Sequence, residues 1–188
     1  MSIENTFKEK TCCFSGYRPH KFSFELKKKE PQYIELENNI INAIITSIDQ
    51  GYDTFLCGGA MGFDLLCGEM VLLLKERFPH IKLICVIPYK GQSKVFPTEW
   101  KVRYDYVIEH CDRICNIAEE YTRGCFHLRN FEMIHSSSRL ITYFSGRPGG
   151  TANTIAIAQR ENMDIINTVP DKRPSHDPTI TYYVGRNR

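Results

Sequence analysis

The sequence lacks most of the features that decide a protein's chemistry at a glance. It has little net charge, since 24 Lys and Arg oppose 22 Asp and Glu for a formal +2. That is less basic than a dedicated nucleic-acid binder, so nucleic acid is not an expected partner. It has no long hydrophobic run. Its longest aliphatic stretch, MVLLL at 70–74, is too short to span a bilayer, so no membrane partner is expected. The opening MSIENTFKEKTCC carries acids and lysines where a secretory leader needs an apolar segment, and a cytoplasmic location follows as the expectation. Neither GxGxxG nor the Walker lysine loop occurs, which removes support for ordinary dinucleotide and P-loop sites. The eight cysteines include no paired CxxC arrangement and mostly sit in apolar stretches. They read as small buried hydrophobes rather than metal ligands or redox centres, and neither metal nor cofactor is expected.

What is present is a regular alternation. Short, nearly continuous apolar runs occur at TCCFSG, DTFLC, KLICVIP, RICNIA, RLITYF and DIINT. Such runs suit strands covered on both faces. Between them lie segments of helical period. YIELENNIINAIITSIDQG places Ile34, Ile41, Ile44, Ile45 and Ile48 on one stripe that ends near Gly51, and FDLLCGEMVLLLKERF offers Leu66, Met70, Leu73 and Leu74. The repeat of strand and helix predicts an α/β fold: a Rossmann-like, three-layer, doubly wound, mainly parallel sheet of about six strands. With 188 residues, of which 42% are hydrophobic, one core is expected. Residues 1–168 are read as a single domain, and 169–188 as a tail able to wrap it through Tyr182 and Tyr183.

Ligands of such sheets bind beyond the carboxyl ends of the strands. Three strand-to-helix junctions there are unusual. SGYRP offers the Ser15 hydroxyl, a turn at Gly16 and the donor fork of Arg18. In CGGAMGFD, the absent Cβ atoms of Gly58, Gly59 and Gly62 bare the backbone, and Asp64 falls in the first helical turn, where it can favour the dipole or accept from a sugar hydroxyl. In SGRPGGT, Pro148 fixes one torsion, Gly149 and Gly150 expose amides, and Thr151 is placed to cap the next helix and donate to an anion. Further candidates are Arg129 as a phosphate clamp and Asn130 as a base or ribose contact in LRNFEM, with Arg129, Glu132 and Ser136 on one helical face. PYKGQSKVFPTEW adds Gln92, Glu99 and Trp100, the last being either core or a stacking platform.

The ordered set SGYRP, GGAMGFD, IPYKGQ, Trp100, RNFEM and PGGT resembles the YpsA-like family of the SLOG superfamily, from about Cys12 to Asn167. The resemblance implies a Rossmann-like nucleotide-binding fold related to LOG phosphoribohydrolases and to DprA, frequent homo-oligomers, and a nucleotide or nucleotide-derived, ADP-ribose-like ligand bound as a sensor or regulator would bind it. The alternative it implies is an N-glycosidic hydrolase of nucleotides with Asp64 and Glu99 as catalytic carboxylates. The sequence departs from the hydrolase pattern, because Asn153, Thr154, Ile155 and Ala156 stand where a glutamate should follow the glycine turn.

Overall fold

The computed structural model describes residues 5–169 and 180–182. Its strands are β1 (Thr11–Gly16), β2 (Thr54–Cys57), β3 (Lys82–Ile87), β4 (Arg113–Asn116), β5 (Arg139–Tyr143), β6 (Asp164–Asn167) and β7 (Ile180–Tyr182). Its helices are α1 (Pro31–Asp49), α2 (Phe63–Lys75), α3 (Thr98–His110), α4 (Cys125–His135) and α5 (Gly150–Arg160). All strand pairs are parallel, in the order β4-β3-β2-β1-β5-β6-β7. Among the described residues the sheet thus has seven strands, against the expected six or so. The seventh comes from the predicted tail, whose Ile180 pairs in register with Ile165. With three residues, Ile180, Thr181 and Tyr182, β7 is too short to show a period. Tyr183 lies outside the described residues.

Two packed cores lie on the two faces of the sheet. The larger joins β1–β3 to α1, α2 and α3, and the smaller joins the sheet to α4 and α5. Phe14, Phe55 and Phe63 are fully buried in the former, each such side chain contributing about 1.5–3 kcal/mol. α1 begins at Pro31, whose missing N–H costs nothing in a first turn. Its buried face is Tyr33, Leu36, Ile40, Ile44 and Ile48, displaced from the predicted stripe, and Ile34 is 45% exposed. This helix is so rich in isoleucine that two neighbouring faces both satisfy the apolar period. α2 likewise buries Leu65, Leu66, Val71 and Leu74 while Leu73 faces outward. Gly68 allows its close approach to α3, since a Cβ there would stand 3.1 Å from Val107.

The strands β1, β2 and β5 are buried throughout or nearly so, as continuous apolar runs require. β4 differs: as an edge strand it leaves Arg113, Ile114 and Asn116 exposed. Six of the eight free cysteines are buried, and Cys111 and Cys115 are partly so. Burial pushes the Cys13 thiol up to about 12, the behaviour of a core side chain rather than a nucleophile.

Candidate functional site

Strand order reverses between β1 and β5: the chain moves outward one way through β2, β3 and β4, then returns to β1's other edge. The loops after β1 and β5 must therefore part in opposite directions and leave a crevice. A cavity of about 300 Å³ occupies it. Ser15, Gly16, Arg18 and Lys21 enter from the β1 side, Ala60 and Asp64 from the start of α2, and Gly150 and Thr151 from the start of α5. Phe126, His127, Arg129 and Asn130 of α4 close the remaining wall. Three cations, Arg18, Lys21 and Arg129, face one carboxylate, Asp64, so the cavity favours an anion.

The SGRPGGT turn is held from beneath by a residue that sequence reasoning passed over. Tyr17 is 1% exposed, packs edge-on against Tyr143, Phe144 and Phe22, and its hydroxyl accepts the backbone N–H groups of Ser145 at 3.1 Å and Arg147 at 2.9 Å. From the side, Lys21 donates to the Pro148 carbonyl at 3.1 Å and Arg147 donates to the Lys21 carbonyl at 3.1 Å. These mutual bonds clasp the loops after β1 and β5 together. Gly146 at φ +92° and Gly149 at φ +138° take backbone conformations that side chains disfavour.

α5 then starts with Gly149, not Thr151, as its capping residue, and Gly149 offers that end no side-chain hydrogen bond. Thr151 stands one position inside the helix, and its hydroxyl donates to the Gly16 carbonyl at 3.1 Å. The hydroxyl thus ties the two junctions together, and Thr151 also lines the cavity. What remains at the cavity is the positive end of an eleven-residue helix with Gly150 at its first turn.

The GGxxGxD junction is built differently. Arg129 reaches across from α4, donates to the Gly58 carbonyl and pairs with Asp64 at 3.4 Å. A Cβ on Gly58 would collide with that guanidinium, and one on Gly59 would stand 2.9 Å from the Gln92 amide, which donates to the Gly59 carbonyl at 3.2 Å. Gly62, at φ +93°, faces the Tyr17 carbonyl, and that same carbonyl takes the first N–H of α2, from Phe63, at 3.1 Å. The missing Cβ atoms of Gly58, Gly59 and Gly62 thus make room for the protein's own groups. None of the three glycines lines the cavity, and neither does Gln92.

The Asp64–Arg129 pair is deeply placed, with side chains 7% and 5% exposed. Burial raises the Asp64 carboxyl above its ordinary range, while Arg129, Arg18 and the Ala60 N–H oppose the rise. Arg18 is lowered by its own burial, with Asp64 pulling the other way. Arg129 also keeps its Nε buried without a partner.

Of the remaining candidates, Asn130 lines the cavity but donates to the Thr154 hydroxyl at 3.1 Å, bridging α4 to α5. Glu99 is exposed in the first turn of α3, away from the cavity, so Asp64 and Glu99 do not converge. Trp100 is 8% exposed beneath the Arg103 guanidinium, 4.9 Å from its ring, while Arg103 pairs with Glu69 at 2.7 Å. The α4 face at the cavity carries positions 126, 127, 129 and 130, so Arg129 lies on it while Glu132 and Ser136 do not. Phe126 and His127 precede the RNFEM segment at helical spacing, so the signal for them was present. Among the described residues no helix is long and apolar enough to cross a membrane, and no three His, Cys, Asp or Glu side chains group as metal ligands.

The fold is shared with DNA processing protein A from Streptococcus pneumoniae, at a TM-score of 0.56 and 17% identity over 86% of this chain, and with that from Helicobacter pylori, at 0.57 and 18% over 85%. The H. pylori structure is described as revealing a single-stranded DNA binding mode. This chain spans 50% and 65% of those two proteins, respectively. In sequence it is 28% identical to the SPbeta prophage-derived protein YoqJ of Bacillus subtilis, covering 84% of this chain and 99% of that one. It is 24% identical to a UPF0398 protein of Halalkalibacterium halodurans, covering 82% of each. The sequence model of the YspA SLOG family matches residues 12–168, nearly the whole described fold, and the chain belongs to that family.

Proposed function

We propose that the crevice between β1 and β5 binds the phosphate of a nucleotide or nucleotide-derived, ADP-ribose-like molecule, and that the protein acts through this binding as a sensor or regulator. The observation that carries the reading is the start of α5 at Gly150, without a side-chain cap from Gly149, lining one cavity together with Arg18 and Lys21. Isothermal titration with AMP, ADP, ADP-ribose and the phosphate-free nucleoside tests it. The phosphorylated compounds are expected to bind with dissociation constants below about 1 mM and the nucleoside not to bind. Silence from all of them at millimolar concentration would overturn the reading.

Glycosidic hydrolysis is the weaker reading. It calls for two carboxyl groups flanking the bond, whereas Asp64 is the one carboxylate among the described residues that line the cavity, and Arg129 and the Ala60 N–H engage it.

Single-stranded DNA is a second reading. The expectation that nucleic acid is no partner loses its force beside a fold neighbour described as binding single-stranded DNA, and Arg18, Lys21 and Arg147 set cations at the crevice and its clasp. An affinity for an oligonucleotide that falls steeply with salt would support this reading, and no measurable affinity at low salt would remove it.

A further inference from the structure

Beside the cavity, three aromatic rings meet without belonging to either packed core. Tyr89 follows β3, Tyr121 precedes α4, and Phe126 is the second residue of α4. Their centroids are 5.6 Å apart for Tyr89 and Tyr121, 6.0 Å for Tyr89 and Phe126, and 6.4 Å for Tyr121 and Phe126. The two segments that carry the tyrosines are joined, since the Lys90 N–H donates to the Ala118 carbonyl at 3.2 Å and the Lys90 ammonium pairs with Glu119 at 2.6 Å. Phe126 forms part of the cavity wall and lies 6.0 Å from the Arg18 guanidinium carbon. Tyr121 stands outside it, 63% exposed.

A large ring left in water gains nothing for folding. Tyr89 meets both other rings edge-on, at 81° to each, so that beside the cationic cavity the exposed Tyr121 keeps its own polarisable face open to a ligand. We infer that Tyr89, Tyr121 and Phe126 form a subsite on which the nucleobase of the bound ligand stacks, with Arg18 between the base and the phosphate. Stacking of this kind accepts any base, because every base has a π-face. The inference rests on the phosphate reading above, and it adds the aromatic half of the ligand to that reading.

The test compares ribose phosphate with AMP by calorimetry on the full chain, then repeats both titrations with Tyr121→Ala and Tyr121→Phe. Tyr121 is exposed, so its truncation leaves the cores intact. AMP is expected to bind roughly tenfold more tightly than ribose phosphate. Tyr121→Ala is expected to bring the two affinities together by weakening AMP alone, and Tyr121→Phe to retain the difference. Equal affinities in the unaltered protein, or an undiminished difference in Tyr121→Ala, would overturn the stacking subsite while leaving the phosphate site standing. Failure of ribose phosphate and AMP alike would overturn both. A phosphorylated oligonucleotide compared with its mononucleotide identifies the source of the base. Tighter binding of the oligonucleotide assigns the base to a strand end, tighter binding of the mononucleotide to a free metabolite, and loss of either preference over ribose phosphate in Tyr121→Ala supports stacking.

Discussion

Replacing Arg129 by methionine is the sharpest perturbation available, because the consequence has a sign that depends on pH. The change keeps a long apolar stem but removes the partner of a carboxylate that is 7% exposed. Breaking a buried pair from one side costs about 3–5 kcal/mol, most of it from the charge left behind. The Gly58 carbonyl also loses its donor, a cost of about 1–3 kcal/mol that overlaps with the first. For a domain of this size, a loss of about 3–5 kcal/mol lowers Tm by roughly 6–20 °C. Asp64 is already raised by burial, and without Arg129 it rises further. A carboxyl whose folded-state value lies above its unfolded value stabilises the fold below the unfolded value, about 3.9, and loses that contribution as pH climbs through the folded value. The penalty of Arg129→Met is therefore expected in full at neutral pH and to shrink in acid, where the lone carboxyl is protonated. Urea unfolding of both proteins at pH 7.5 and pH 5 measures this, with the double variant Asp64→Asn/Arg129→Met expected to recover much of the loss. A loss below about 1 kcal/mol at pH 7.5, or one that does not change with pH, would refute the assignment of Asp64 and Arg129 as a buried charge pair.

Tyr17→Phe keeps the ring packing and deletes the acceptor for the Ser145 and Arg147 N–H groups. It is expected to cost about 1–3 kcal/mol in urea unfolding and to weaken nucleotide binding through a loosened glycine turn, as read by calorimetry. Cys111 is the thiol placed to react. A hydrogen bond from Cys85 outweighs partial burial and lowers it to about 7. Alkylation by iodoacetamide followed by peptide mass spectrometry is expected to label Cys111 ahead of the buried cysteines, with its rate rising through about pH 7, and Cys85→Ala is expected to move that midpoint upward toward an ordinary thiol.

The elements were legible in the sequence because their signal is periodic and local. All six predicted strands exist, and the helices fall between them. What could not be read was anything that depends on which side of a residue is approached. Gly58, Gly59 and Gly62 do announce missing Cβ atoms, but a glycine carries no mark of what fills the space, and here Arg129, Gln92 and the Tyr17 carbonyl do so. Arg129 was legible as a cation at the crevice, yet its pairing with Asp64 joins residues 65 positions apart. Ser15, Gly16, Arg18, Asp64, Arg129, Asn130, Gly150 and Thr151 come together at the cavity, as the rule for open parallel sheets leads one to expect. Tyr17 escaped notice for the opposite reason. As one aromatic among many it has no local pattern, and its hydroxyl matters only through a loop 128 residues further on.

The clasp between the loops after β1 and β5 has a consequence for the order in which the molecule matures. β1 can pair with β2 as soon as residue 57 has been made, but its other edge waits for β5, which begins at Arg139. A growing chain can thus build the β1–β4 half of the sheet with no crevice in it. The pocket therefore needs both halves of the chain, since its walls meet only where β5 lies beside β1 and Thr151 bonds the Gly16 carbonyl.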